Sequence, residues 1–267
     1  MQHILVTGGT GTLGRLVVAR LRDVGCKVRV LSRRSREGGE DIEFVIGDLA
    51  TDEGIEAAVE GAEIIVHCAG SSKGDEEKTL NLVRAASRAG ARHLVYISVV
   101  GADRIPVESF VDRAMFGYFA SKLAAERVVV DSGLPWTTLR ATQFHDLILT
   151  VARAMAKLPV VPVPASFRFQ PVDADDVAAR LVQLALGEPA GQVFDLGGPR
   201  AYTAADLLRG YLHANHQRRL IMPVWLPGQG ARALRAGANL TPDHADGTRT
   251  WEDFLSDRLG SPRAVPT

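Results

Sequence analysis

The sequence predicts an α/β fold in which helices cover both faces of a doubly wound parallel sheet of the Rossmann type. Three observations support this prediction. Strands and helices alternate over the first two-thirds of the chain. Short apolar runs such as Ile64–Val66 and Leu94–Ile97 lack polar alternation, as expected of strands buried on both faces. At the start of the chain, an apolar strand runs directly into closely spaced glycines and then into an amphipathic helix.

The predicted elements follow in chain order. Strands are expected at 3–7, 27–32, 42–46, 63–67, 93–98 and 136–140, and helices at 12–24, 52–60, 75–90, 112–132 and 143–157. In the last third, Asp173 is a candidate N-cap for a helix that reaches Leu186, a short strand is expected at 193–196, and a helix near 203–215. From Pro223 onward the segment is rich in Arg, Ala, Gly and Pro, and we expect it to form helices that close the substrate side.

Composition narrows the class of protein. A chain of 267 residues that is 46% hydrophobic is expected to form a single domain over 1–267. The 31 basic and 31 acidic side chains balance, which gives no reason to expect a nucleic-acid partner. We expect a cytoplasmic protein without a signal peptide. The chain has two cysteines, it has no apolar run long enough for a membrane span, and its first predicted strand begins at His3. The oligomeric state stays open.

The glycine-rich turn is the strongest functional motif. Gly8, Gly11 and Gly14 match G-x-x-G-x-x-G, and starting from Gly9 the same turn matches G-x-G-x-x-G. Glycines let a phosphate approach the backbone, and a helix start supplies unpaired N–H groups. We therefore expect a dinucleotide diphosphate at this turn, the alternative being a glycine-rich turn without a ligand. The predicted contacts are Thr7, Gly8, Gly9, Thr10, Gly11, Thr12, Leu13 and Gly14.

Residues after the next three strands indicate which dinucleotide binds. The second strand ends in Ser32-Arg33-Arg34 instead of an acidic residue, and guanidinium groups suit a 2′-phosphate. NADP(H) is therefore preferred and NAD(H) stays open, because the arginines could also form a solvated basic turn. Asp48 and Leu49 after the third strand, and Cys68, Ala69 and Gly70 after the fourth, are expected on the adenosine side.

A second motif carries the candidate chemistry. Tyr118 and Lys122 lie one helical turn apart, where an ammonium could lower the pKa of the phenol and make it a proton donor or acceptor. Ser98 ends the fifth strand at the sheet edge where ligands bind, and its hydroxyl could hold a reacting oxygen. The alternatives are a surface lysine beside a packed tyrosine, and a serine bonded to its own backbone.

Together these residues resemble a short-chain dehydrogenase/reductase, and more closely its atypical, NmrA-like branch. The resemblance rests on 7–14, Gly47-Asp48-Leu49, Asn81-Leu82-Val83, Ile97-Ser98 and Tyr118…Lys122, and covers about residues 1–200. It implies that Tyr118 is the general acid/base, that Lys122 contacts the nicotinamide ribose, and that Ser98 holds the substrate oxygen. It also implies a structural or water-positioning role for Asn81 beside the cofactor. The segment 158–267 would form a small substrate-binding lobe.

The expected function is therefore an NADP(H)-dependent oxidoreductase that moves hydride between nicotinamide and a carbonyl, alcohol or quinone-like small molecule. The spacing of 20 residues from Ser98 to Tyr118 is longer than in many members of that family and leaves a loop at 101–111 that could cover the site. The alternatives are a non-catalytic NAD(P)H sensor or assembly subunit, and an epimerase or dehydratase on the same fold. No metal site is expected, since Asp173, Asp175 and Asp176 suit a helix start.

Overall fold

The fold was analysed in a computed structural model, which describes residues 2–39, 41–70 and 74–260. Its strands are β1 (His3–Thr7), β2 (Lys27–Ser32), β3 (Ile42–Ile46), β4 (Ile64–His67), β5 (His93–Val99), β6 (Trp136–Ala141), β7 (Val160–Pro164), β8 (Arg168–Phe169), β9 (Gly191–Gln192), β10 (Tyr202–Thr203) and β11 (Leu220–Val224). Its helices are α1 (Thr12–Asp23), α2 (Ile55–Val59), α3 (Asp75–Arg88), α4 (Phe110–Val130), α5 (His145–Met155), α6 (Ala174–Ala185), α7 (Ala204–Ala214), α8 (Gln229–Ala236) and α9 (Trp251–Leu259).

Seven strands form one parallel sheet in the order β3-β2-β1-β4-β5-β6-β9. The order reverses between β1 and β4, and in such sheets ligands bind at this reversal, at the carboxyl ends of the strands. The predicted doubly wound sheet is confirmed. The glycine turn after β1 and the loop after β4 lie side by side at the reversal, because Cys68 N donates to Thr7 O over 3.1 Å.

Helices cover the sheet on both faces. On one face, Val17 and Leu21 of α1 pack with Val177 and Leu181 of α6 against β1 and its neighbours. On the other face, α2, α3 and α4 bury a cluster that includes Leu82, Ala125 and the ring of Tyr96. Within the described residues, no helix is long and apolar enough to cross a bilayer.

The short strand expected at 193–196 is wrong in its position. The regular pairing with β6 is confined to Gly191–Gln192, and further along only Leu196 forms a single bridge, to Ala141. Between them, Phe194 is 76% exposed and stacks on the ring of His244, and the half-buried Asp195 pairs with Arg104. These contacts hold residues 194 and 195 outside the ladder.

The segment from residue 158 onward contributes to two parts of the molecule; its last residues, 261–267, lie outside the described chain. Helix α6 and strand β9 complete the main sheet, and Asp173 caps α6 as predicted, accepting from Asp175 N at 2.9 Å. The remaining elements form a second cluster around Trp251 and Phe254. Helix α8 packs on α4, where a side chain at Gly230 would strike the ring of Phe116.

Candidate active site

The turn after β1 is shaped by glycine. Gly8 has a φ of +69°, and a Cβ there would lie 2.6 Å from Ala69 N in the loop after β4. A Cβ at Gly14 would overlap the carbonyl oxygen of Gly8. That same oxygen accepts from Gly11 N at 2.9 Å, which closes the turn. The ends of β1 and β4 and the start of α1 therefore approach one another more closely than side chains at these glycines would allow.

The first turn of α1 fits an anion. Its N-cap is Gly11, and no side chain caps the helix. Thr10, Gly11 and Thr12 are exposed, so the N–H groups at the start of this 12-residue helix lie at the surface of the crevice. Leu13 is buried, so it can contribute only through its backbone. Open N–H donors, the positive end of the helix dipole and a cradle that a Cβ would fill are what a diphosphate requires.

Thr7 does not point into the crevice. Its side chain is fully buried, and its hydroxyl lies 2.6 Å from His67 Nδ1. Thr79 donates its hydroxyl proton to Asp75 O at 2.7 Å, so at 3.2 Å it accepts from His67 Nε2–H, and Nδ1 in turn accepts from Thr7. Burial, with Lys122 and Lys78 nearby, lowers the pKa of His67 to about 3, so its ring is neutral. Thr7 therefore supports the turn from beneath.

The arginines after β2 are available to a ligand. The hydroxyl of Ser32 is buried and closes a turn, donating to Arg34 O at 2.8 Å and accepting from Arg34 N at 3.3 Å. Arg33 and Arg34 are exposed, and neither forms an ion pair with another described residue. Ser32 therefore shapes the turn, and the two guanidinium groups remain free to bind.

The loops on the predicted adenosine side are held from within. Asp48 accepts from Ala50 N at 2.9 Å, and Leu49 is buried. Asn81 donates its amide to Leu49 O at 2.9 Å, which places this side chain in a supporting role under the loop. Cys68 and Ala69 are half-buried and Gly70 is exposed, with burial raising the pKa of the Cys68 thiol to about 12.

Lys122 lies beneath this crevice. Its ammonium is almost fully buried and meets three oxygens at 3.3 Å each, from Asp75 Oδ2, Tyr96 OH and Ile97 O. A Cβ built on Gly70 would lie 3.1 Å from Lys122 Nζ, so the lysine sits directly under the loop that follows β4. Burial lowers the pKa of Lys122, and the Asp75 carboxylate opposes that effect.

Tyr118 lies one turn before Lys122, with its ring centre 5.9 Å from Lys122 Nζ and 40% of the residue exposed. The prediction that Lys122 lowers the pKa of this phenol is wrong. Desolvation and the negative charge of Asp75 raise the pKa of Tyr118 to about 12. The physical reason is that the ammonium of Lys122 is paired with the Asp75 carboxylate, whose negative charge cancels most of the effect of the ammonium on the phenol. Tyr118 is therefore protonated at neutral pH.

Ser98 carries a buried hydroxyl for which the described residues supply no hydrogen-bond partner. It shares a face of β5 with Tyr96, two residues earlier, and Tyr96 packs in the cluster formed by α3 and α4. Ser98 therefore faces α4, the helix that carries Tyr118 and Lys122. That Ser98 holds a ligand oxygen stays a prediction.

The open side of α4 is apolar where it leads to Tyr118. Phe110 is 85% and Met115 43% exposed, and Ala114 is exposed between them. With Tyr118 these side chains lie within about 140° of one another around the helix axis. Exposed helix faces are normally polar, so exposed apolar side chains this close to Tyr118 are unusual.

Sequence reasoning did not identify Asp75, Tyr96 or His67. Tyr96 and His67 lie in apolar strands, and Asp75 is one of three consecutive acids at a helix start, where acids are common. One signal was available, because polar residues at buried strand positions require hydrogen-bond partners: here Thr7 and Thr79 for His67, and Lys122 for Tyr96. The ring of His67 stacks on that of Tyr96 with centres 5.3 Å apart.

Residues 8–187 match the family described as NAD(P)H-binding. The chain belongs to this family. The match includes the glycine turn, the arginines after β2 and the Tyr118/Lys122 pair, and it confirms the predicted nicotinamide cofactor. This is a reductase-type family, which also contains assembly factors.

Two curated relatives are reductases. The chain is 33% identical over 211 residues to (4-alkanoyl-5-oxo-2,5-dihydrofuran-3-yl)methyl phosphate reductase of Streptomyces griseus, covering 76% of this chain and 70% of the relative. It is 31% identical over 249 residues to ceramide reductase of Caulobacter vibrioides, covering 88% and 76%. A photosystem II assembly factor of Trieres chinensis is 25% identical over 273 residues, covering 96% and 79%.

The fold is shared with solved structures. The NADPH complex of an NADPH-dependent quinone oxidoreductase from Escherichia coli superposes with a TM-score of 0.78 at 18% identity, over 96% of this chain and 99% of that one. Nucleotide-sugar epimerases share the same architecture, one from Staphylococcus aureus with a TM-score of 0.74 at 18% identity, over 96% and 99% of the two chains. At these identities the likeness concerns the fold alone.

Proposed function

We propose that this protein is an NADPH-dependent reductase of carbonyl compounds that carry an apolar group, with Tyr118 as the proton donor. The observation that carries the proposal is the position of Tyr118. Its phenol is partly exposed and protonated, one helical turn above a buried ammonium, beside the crevice that the glycine turn opens. A protonated phenol in that place can donate to an oxygen that gains charge during reduction.

The residues that would hold the cofactor occupy the carboxyl edge of the sheet. The start of α1 and the glycine turn would bind the diphosphate, and Arg33 and Arg34 the 2′-phosphate. The loops at 47–49 and 68–70 would lie on the adenosine side. When bound, the nicotinamide supplies the hydride.

The protein's own contribution is orientation and proton transfer. Ser98 would donate its hydroxyl to the substrate oxygen, since that hydroxyl is buried and has no other partner among the described residues. Tyr118 would transfer its phenolic proton to the same oxygen as the carbonyl carbon is reduced, giving an alcohol and a phenolate. Solvent at the exposed side of Tyr118 would then return the proton.

Two lines of support indicate an apolar substrate group. The exposed face of α4 next to Tyr118 is apolar from Phe110 to Met115. Among relatives, one is named for an alkanoyl-bearing substrate and another for ceramide. We propose that the apolar group lies along this face, and that the part of segment 158–267 outside the main sheet, including α8, forms the substrate-side lobe.

A second candidate function is a non-catalytic NAD(P)H-binding subunit of an assembly. It is supported by the match to a photosystem II assembly factor over 96% of the chain. It is also supported by Lys122, whose ammonium already donates to Tyr96 OH and Ile97 O and pairs with the Asp75 carboxylate. In such a protein Tyr118 would have no part in any reaction.

Replacement of Tyr118 by Phe separates the two candidates. We expect NADPH oxidation in the presence of long-chain aldehydes, ketones and quinones to fall at least about a hundredfold, with NADPH affinity changed less than about threefold. Tyr211→Phe is the matched control, because Tyr211 is buried in the carboxy-terminal cluster. Equal turnover by Tyr118→Phe and the parent protein would contradict the reductase mechanism. Tight NADPH binding without oxidation by any compound would favour the assembly subunit.

A further inference from the structure

The two-stranded parallel sheet of β7 and β11 has one covered face. Val161 and Val163 of β7 and Ile221 of β11 pack into the cluster around Trp251 and Phe254. Successive side chains of a strand point to opposite faces, so the residues between them point away from this cluster. The sheet therefore has a second face, which carries the alternate residues of both strands.

The second face is apolar, and the register pairs its Leu220 with Val160. Two residues further along, Met222 pairs with Pro162, so four apolar side chains lie side by side. The exposed fractions are 67% for Leu220, 48% for Met222 and 39% for Val160. With Leu158, which precedes β7 and is 46% exposed, these residues form what we call the apolar face. A sheet face in contact with water normally carries polar residues, so a face of this kind indicates an interaction surface.

Basic side chains lie at one end of the apolar face. Arg218 and Arg219 directly precede β11, and Lys157 lies just before β7. Because the two strands are parallel and in register, these residues lie at the same end of the sheet. Arg219 is held there, since its Nε donates to Ala156 O at 2.8 Å. The apolar face is therefore bordered by positive charge where its strands begin.

The same two arginines line a cleft between α7 and β11. No carboxylate of the described residues lines this cleft, whose ionisable side chains are Arg209, His213, His216, Arg218 and Arg219. Arg209 pairs with Asp206 at 2.7 Å. Arg218, Arg219 and Lys157 form no ion pair with a described residue, and all three are exposed. The positive charge at this end of the sheet is therefore only partly balanced within the described chain.

We propose that the apolar face and its basic border dock the protein on an anionic lipid bilayer. Such a bilayer places negative headgroups directly above an apolar interior, and this surface complements both layers. Leu220 and Met222 enter the boundary between headgroups and acyl chains, while Arg218, Arg219 and Lys157 bind the lipid phosphates. The inference goes beyond the proposed reductase function and does not rest on it.

A second copy of the chain fits this surface less well. A two-fold dimer would bring the surface against a copy of itself, so its charges would have to be self-complementary. The cleft at the end of the sheet has basic side chains and no carboxylate among the described residues. The surface therefore complements itself only in its apolar part, whereas an anionic bilayer complements both parts.

The test is flotation of the full chain with lipid vesicles, in the absence of NADPH and substrate. The probes are vesicles of phosphatidylcholine alone and vesicles in which about 30% of the lipid is phosphatidylglycerol. We expect the protein to bind the anionic vesicles at least about tenfold more tightly than the neutral ones. Raising the salt concentration to about 0.5 M should weaken that binding, because salt screens the basic border.

Two double variants separate the apolar part of the surface from the charged part. Leu220→Ser with Met222→Ser should weaken binding to anionic vesicles at least about tenfold, because apolar area no longer leaves water. Lys157→Gln with Arg218→Gln should do the same at least about tenfold, because two positive charges are lost. All four side chains are exposed, so both variants should melt at the temperature of the parent protein.

Matched controls remove the same kinds of group elsewhere. Val24→Ser with Val130→Ser replaces apolar side chains of residues that are 58% and 50% exposed outside the apolar face. Arg84→Gln with Arg127→Gln removes two charges from a cleft between α3 and α4 that acidic residues also line. Both controls should leave vesicle binding within about twofold of the parent value.

Equal binding to neutral and anionic vesicles, or binding to neither, would overturn the proposal. Losses in the controls as large as those in the two test variants would do the same. A dimer in sedimentation that Leu220→Ser with Met222→Ser abolishes, without vesicle binding, would assign the apolar face to a second copy instead. None of these measurements involves turnover, so their failure is distinct from failure of the proposed reductase mechanism.

Discussion

The buried histidine beneath the glycine turn should make the protein sensitive to mild acid. His67 is 1% exposed, and both ring nitrogens are engaged by threonine hydroxyls. Protonation would require Nδ1 to give up its acceptor role towards Thr7 and would place a charge in an apolar interior near Lys122. The perturbation we consider is the removal of this group by His67→Gln.

The magnitude follows from linkage. The pKa of His67 is about 3 in the folded protein and about 6.5 when unfolded, so it is lowered by folding. Such a group contributes stability that is present above pH 6.5 and is lost as pH falls, because only the unfolded chain takes up the proton. Between pH 6.5 and pH 5 the loss is about 1.5 pH units times 1.36 kcal/mol, or roughly 2 kcal/mol.

The assay is urea unfolding followed by circular dichroism at pH 7 and pH 5. Carboxylates and the other buried histidines, His93 and His145, contribute equally to the parent protein and to the variant. The difference between the pH dependences of the two proteins therefore isolates His67. His67→Gln should be less stable at pH 7 but lose about 2 kcal/mol less between the two pH values. His213→Gln, at an exposed position, is the control. An equal loss in parent and His67→Gln would refute the reasoning.

Three further predictions concern the crevice and its ligands. Gly14→Ala should weaken NADPH binding at least about tenfold and lower Tm, because the added methyl group would overlap Gly8 O. Gly39→Ala is the control, since a methyl group there meets open space and should change neither the affinity measured by calorimetry nor the Tm of a thermal melt. Arg33→Ala with Arg34→Ala should weaken NADPH about 10- to 100-fold and NADH less than about twofold by fluorescence titration, and equal losses would reject the 2′-phosphate contact. Phe110→Ser should lower kcat/KM for long-chain carbonyl substrates about tenfold and leave short-chain ones unchanged, and a uniform loss would contradict binding along α4.

The first two-thirds of the fold was predictable because local and long-range preferences agree there. β1, β2 and β3 begin and end where the apolar runs do, and β4, β5 and β6 differ from prediction by one residue at one end. Strands β4 and β5 are buried on both faces, so their apolar composition alone predicts them. The position of β9 was predicted wrongly because strand pairing at that sheet edge depends on contacts of Phe194 and Asp195 with segments distant in sequence.

The candidate site was predictable only in its backbone-determined part. A glycine turn before a helix implies its geometry, because the absence of side chains is what matters there. Side-chain networks have no such signature. The partners of Lys122 come from positions 75, 96 and 97, and nothing in the spacing of these residues shows that three oxygens converge on one nitrogen. The pKa of Tyr118 was predicted to be lowered and is raised, because the negative charge of Asp75 is part of that convergence.

The same convergence limits how Lys122 can meet a nicotinamide ribose, as the family resemblance implies. The ammonium donates to Tyr96 OH and to Ile97 O and forms an ion pair with Asp75, so a ribose hydroxyl would compete with one of these three oxygens. Release of Asp75 would leave a buried carboxylate without its counter-charge, at a cost of several kcal/mol. Loss of the hydrogen bond to Tyr96 OH or to Ile97 O leaves only a neutral group unpaired, at a cost of about 1–3 kcal/mol. A ribose hydroxyl that accepts from Lys122 in its place offsets that cost. Contact with the ribose is therefore compatible with an intact Asp75–Lys122 pair, and the acceptor that yields is a neutral one.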